Sequence, residues 1–146
     1  MCFDYKFFLH LLVLISFSLN ANSNSSNIIE NLKIEKGFSI EIFLENIDTP
    51  RQMAESDAGS IFVGSRSGGT IIAIDKSKNV RIIAKDLSNS TGVTYHNGDL
   101  YFSEVNSIWK IENIDETLSR SESIPEKKLV TNNLPSDTRH GRQWID

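Results

Sequence analysis

The sequence predicts an all-β fold of the β-propeller class, with about two blades and the start of a third. Three observations carry that reading. Short apolar runs follow one another closely past residue 37, and turn signals separate them. An order of loop, strand, turn and strand then recurs at spacings of 40 and 47 residues. A period of about 40 to 50 residues, with four strands per unit, is the mark of a propeller blade.

The chain opens differently. Residues 1–6 are short and polar, residues 7–19 form a 13-residue apolar run (FFLHLLVLISFSL), and NANSNSSN follows. This order reads as a secretory signal peptide over residues 1–21, with cleavage as late as residue 23. The run is shorter than the ~20 residues a membrane-spanning helix needs, so a membrane is a partner only if the segment stays uncleaved. The expected location is periplasmic or secreted. Cys2, the only cysteine, would leave with the signal, so the mature chain would hold no disulfide and no thiolate metal site. Residues 22–36 read as a polar N-terminal segment and residues 37–146 as the propeller part.

The strand signals run in order. FSIEIF (38–43) alternates apolar and polar residues. SIFVGS (60–65), TIIAID (70–75), VRIIAK (80–85), GVTYH (92–96), DLYFSE (99–104) and SIWKIE (107–112) follow. Between them lie Asp57-Ala58-Gly59, Ser67-Gly68-Gly69, Lys78-Asn79 and Asn97-Gly98, the last being the strongest hairpin signal. NIDETLS (113–119) alone reads as helix, with Asp115 and Glu116 suited to its N-terminal dipole. Strands this close leave no room for the crossover helices of a parallel sheet.

The repeat aligns stretches starting at Glu45, Lys85 and Asn132. The third copy enters its first strand at Gln143-Trp144-Ile145 and the chain stops there. The expectation is therefore the front portion of a longer protein. In a propeller the loops leading into successive innermost strands open on one mouth. Those loops hold Thr49 to Gln52, Asn89 to Thr91 and Asp137 to Arg142. Arg51, Gln52, Arg139, His140 and Arg142 would converge there. That set suits an anionic ligand, with one titratable base among cations. Positive charge on either side disfavours the imidazolium form, leaving His140 able to accept a proton.

The remaining signals exclude more than they assign. Nineteen acidic residues against fifteen basic give a net charge of −4, which argues against nucleic acid as a partner. The SRSGG stretch (65–69) has the composition of a phosphate cradle but lies between two strands, so a hairpin loop is expected. Tyr101 and Trp109 alternate with apolar residues and are expected to pack. No metal-ligating set is assigned.

Three stretches carry a family resemblance: GFSIEIFLENIDTPRQMAESDAGSIFVGSRSGGTIIAID, STGVTYHNGDLYFSEVNSIWKIENIDETL and LPSDTRHGRQWI. From Gly37 to Ile145 the chain resembles the pyrroloquinoline quinone (PQQ)-dependent sugar dehydrogenases, the glucose/sorbosone dehydrogenase family of six-bladed propellers. The resemblance implies an exported quinoprotein oxidising an aldose sugar or sugar aldehyde by hydride transfer to the quinone. It implies His140 as general base on the anomeric hydroxyl, and an electron acceptor as partner. It also implies PQQ as cofactor, whose three carboxylates fit Arg139, Arg142, Arg51 and Gln52, with Ca²⁺ held largely by later blades. Arg139 stands where the family commonly has a first histidine, and the chain as given is not expected to turn over sugar. Two other readings are a gluconolactonase-like Ca-dependent hydrolase propeller and a non-catalytic ligand-binding propeller.

Overall fold

The computed structural model describes residues 29–137 and 144–146. The chain divides into two compact units, Met1–Phe43 and Leu44–Asp146. The expected signal peptide lies outside the described residues, and no helix among those described is long and apolar enough to cross a membrane. In the first unit, residues 38–43 form no strand, contrary to their alternating pattern. Alternation makes a strand only where the backbone joins a ladder, and neither described sheet includes these residues. Phe38 is 76% exposed.

Among the described residues the second unit is all-β apart from one short helix. β1 (Pro50–Glu55), β2 (Ile61–Ser65), β3 (Ile71–Ile74) and β4 (Val80–Ala84) form one sheet in that order. β5 (Val93–His96), β6 (Asp99–Ser103), β7 (Ile108–Ile111) and β8 (Lys128–Thr131) form the second, with helix α1 (Ile114–Ser119) between β7 and β8. Every neighbouring pair is antiparallel. Two consecutive four-stranded meanders in one compact unit are the architecture of successive propeller blades.

Local chemistry explains the turns. Asn97 and Gly98 have φ of 50° and 89°, the left-handed pair that a two-residue hairpin between His96 and Asp99 needs. The β3–β4 turn is held by Asp75, whose Oδ1 accepts from the amides of Ser77 and Asn79, both at 2.8 Å. These bonds, the Asn79 side chain first, lower the Asp75 pKa below the usual carboxylate value.

The core lies between the sheets. Phe62, Ile71, Ala73 and Ile83 of the first meet Val93, Leu100, Phe102 and Ile111 of the second, and Leu87 and Ile114 close the edges. Phe62 and Tyr95 stack across the seam with ring centroids 6.4 Å apart. β1 lies beside β5, so these are the two inner strands. On the other face of the first sheet, Val63, Ile72 and Ile74 pack under Leu44 and Ile47.

At one rim Tyr95 ties the blades together. Its hydroxyl donates to Asp115 Oδ2 at 2.7 Å and approaches Asp57 Oδ2 at 3.4 Å. The Asp115 hydrogen bond, then burial, then the two negative charges push the phenol pKa up to about 12. A raised pKa means the folded state holds this proton more tightly. The stabilisation is therefore complete below about pH 10, the unfolded value, and is lost as pH rises through about 12. Tyr95→Phe is expected to remove that alkaline decline. Urea midpoints from pH 8 to 12 test this, and an unchanged slope in the variant would refute it.

Candidate functional site

The opposite rim is where the expected mouth lies. β1 begins there, β2 and β6 end there, and β5 begins there. Its loops are joined by an unbroken series of hydrogen bonds. Thr49 Oγ1 accepts from the amides of Ser67 and Gly68 and from the Ser67 hydroxyl, each at 3.2 Å. The Arg66 amide donates to the Thr49 carbonyl at 3.0 Å, and the Leu87 amide to the Gly69 carbonyl at 3.0 Å. The buried Ser90 hydroxyl reaches the Ser65 carbonyl at 3.2 Å. The Val105 amide bonds the Ser88 carbonyl at 3.1 Å, and the Leu134 amide bonds the Asn106 carbonyl at 3.2 Å. Because each loop is fixed by the next, the segment leading to His140 starts from an anchored position at Leu134.

Two glycines make the rim possible. A Cβ on Gly64 would lie 2.8 Å from the Thr91 carbonyl oxygen and 2.9 Å from that of Ser90. One on Gly69, where φ is +60°, would lie 2.7 Å from the Leu87 carbonyl oxygen. The SRSGG stretch is the β2–β3 hairpin loop, as expected. The amides of Ser67 and Gly68 face Thr49 Oγ1, so they are already committed within the protein.

Arg51 and Gln52 stand in β1, not in the loop before it. Their setting is irregular: Pro50 pairs with Ser65 and Met53 with Val63, so β1 carries one more residue than β2 across this stretch. Such a bulge re-aims side chains and is common beside functional sites. Arg51 is exposed and Gln52 half-buried. Gln52 Nε2 donates to the Ile145 carbonyl at 2.8 Å. Its Oε1 is buried with no hydrogen-bond partner among the described residues. The structure therefore brings Gln52 to the segment directly following Arg142. That segment, residues 144–146, forms no strand, and Trp144 is 66% exposed. Arg139, His140 and Arg142 lie outside the described residues.

Most of the described lysines and arginines that form ion pairs do so on or beside the second sheet. Lys110 bridges Asp99 at 3.4 Å and Glu112 at 2.8 Å, Lys128 also meets Glu112, and Arg120 meets Glu116 at 2.5 Å. The Lys110 and Lys128 hydrogen bonds pull the Glu112 pKa down to about 2. Lys127 reaches Glu104 at 3.2 Å and lies 4.2 Å from the Trp109 ring centroid. Burial opposes ionisation of Glu104, but the Ser88 amide and the Lys127 ammonium outweigh it and hold its pKa below the ordinary value. Arg51 and Arg66 have no carboxylate within ion-pair distance among the described residues. Arg66 is the rim residue that sequence reasoning missed. The signal was available: in a meander the second turn returns to the end where the first strand began. No group of three or more His, Cys, Asp or Glu side chains able to hold a metal occurs among the described residues.

No family model matches the chain. An uncharacterized protein of Borreliella burgdorferi is 35% identical over 98 residues, covering 66% of this chain and 26% of that protein. The chain thus spans about a quarter of the length of that relative. Among solved structures, the PQQ-bound form of an aldose sugar dehydrogenase from Streptomyces coelicolor is similar with a TM-score of 0.44 and 15% identity. That similarity covers 62% of this chain and 32% of the other.

Proposed function

We propose that the chain belongs to an exported sugar dehydrogenase using PQQ, with the rim described above as part of its ligand mouth. The observation that supports this most directly is the Gln52–Ile145 hydrogen bond of 2.8 Å. It ties β1 to residues 144–146, which follow the loop expected to carry Arg139, His140 and Arg142. The sequence stretches resembling glucose/sorbosone dehydrogenases supply the reaction.

The residues present fit PQQ in charge. The cofactor's carboxylates call for planar, multi-donor partners. Arg51 offers a guanidinium without a carboxylate partner among the described residues, and Arg139 and Arg142 would add two more. Gln52 would hold the neighbouring segment through its amide. PQQ, when bound, supplies a two-electron acceptor for hydride. His140, neutral between arginines, would take the anomeric hydroxyl proton at a ring nitrogen, so that the C–H electrons leave as hydride. The substrate would be an aldose or sugar aldehyde, and electrons would pass on to a separate acceptor. The described residues do not present a donor set fitting Ca²⁺, and no step is routed through it.

In the longest natural form of the polypeptide, His140→Ala is expected to abolish aldose-dependent dye reduction, a loss of at least about 100-fold. Binding of added PQQ, read from its absorption spectrum, should persist. Turnover retained in the variant would remove His140 from the role of base. A wild-type protein that leaves the PQQ spectrum unshifted would overturn the reading as a whole.

A further inference from the structure

We infer that Arg66 joins Arg51 as a two-guanidinium anchor for a carboxylate-bearing ligand at this rim. The inference rests on the reading of the rim as a ligand mouth, but it assigns a residue and a ligand chemistry that the family resemblance did not.

The sequence offered SRSGG as an amide cradle, and the structure closes that use. The same lock has a second consequence. With the Ser67 and Gly68 amides on Thr49 Oγ1, and the Arg66 amide on the Thr49 carbonyl at 3.0 Å, the backbone of Arg66 is fixed opposite Thr49. That places it one step beyond the Pro50–Ser65 pair. Arg51 stands one residue on the other side of that pair, in the bulge. Arg51 in β1 and Arg66 in the β2–β3 loop therefore flank one register position. Both are exposed.

Like charges brought near one another repel unless a counter-charge joins them. The usual remedy is a carboxylate, and Lys110, Lys127, Lys128 and Arg120 all have one. Arg51 and Arg66 do not, among the described residues. Asp48 is an acid on the loop before β1. Its Oδ2 lies over Gly68, 2.6 Å from where a Cβ there would stand, and it makes no ion pair with either arginine among those observed. Two exposed guanidinium groups without a carboxylate among the described residues form a donor-rich patch complementary to carboxylates, which Arg binds through paired N–H groups. The carboxylate has two sources in this setting: the cofactor, or an acidic sugar such as a uronate.

The test compares Arg66→Gln and Arg66→Lys with wild type in the longest natural polypeptide. PQQ affinity is read by absorption, and KM is read for glucose and for glucuronate. If the anchor serves the cofactor, Arg66→Gln weakens PQQ binding about tenfold and shallows its salt dependence, with Arg66→Lys intermediate. If it serves the substrate, PQQ binding holds, and the KM for glucuronate rises about tenfold while that for glucose stays put. Unchanged PQQ affinity together with an unchanged glucuronate KM overturns the anchor. In that case a loss of PQQ binding in Arg51→Gln would show that the mouth itself survives. A wild-type protein that binds neither PQQ nor either sugar defeats both readings together.

Discussion

Phe102→Ala is expected to destabilise the protein by about 3–5 kcal/mol, the usual cost of truncating a buried aromatic ring. Phe102 is fully buried in β6, where it pairs across the sheet with Val93 on one side and Trp109 on the other. Its ring belongs to the cluster joining the two sheets, together with Phe62, Ile71 and Leu100. The cavity left behind would be walled by strands held in two ladders, so little relaxation is open to it. Met53→Ala is the control, since Met53 is 68% exposed on β1 and should change stability by less than about 0.5 kcal/mol. Urea unfolding of both variants decides the matter. Equal midpoints would mean that the two sheets do not share the core described.

Gly64→Ala is expected to cost about 3 kcal/mol, at the upper end of ordinary overpacking. The added methyl would meet the carbonyl oxygens of Thr91 and Ser90 at 2.8 and 2.9 Å. Those atoms are backbone and cannot swing aside. The β4–β5 loop must retreat, which breaks the Ser90 hydroxyl bond to the Ser65 carbonyl and strains the Gly92–Ser103 pairing that begins the second sheet. The damage should therefore reach the rim. Amide exchange at Gly92 and Ser103 is expected to quicken along with the drop in the urea midpoint. A midpoint within about 0.5 kcal/mol of wild type, with exchange unchanged, would show that the blades are not in backbone contact at Gly64.

Six of the eight strands were legible because they are short runs of β-branched, aromatic or Leu residues between turn residues. Of the other two, one was implied only by the repeat and the other was missed. β1 reads PRQMAE and β8 reads KLVT. Neither has the apolar content to announce itself, and β1 begins with a proline. β1 is a strand because β2 and β5 lie beside it, and β8 because β7 offers an open edge. The reverse error has the same cause: FSIEIF carries the right alternation but joins no sheet among the described residues. Helix α1 was legible because Asp115 and Glu116 open its first turn.

The site divides along the same line. Arg51 and Gln52 were expected near this rim from the repeat, and they stand at the start of β1. Their displacement into a bulge, and the companionship of Arg66, were invisible because both depend on the register between two strands.

The sequence by itself determined the all-β class and the period of the blades, because alternation, turn chemistry and repetition are local properties of the chain. Only the tertiary structure decided which strand pairs with which, that Thr49 closes the glycine loop, that Gln52 reaches Ile145, and which arginines stand without a partner among the described residues. Those are relations between segments up to 93 residues apart, and packing and hydrogen-bond satisfaction across the fold select them.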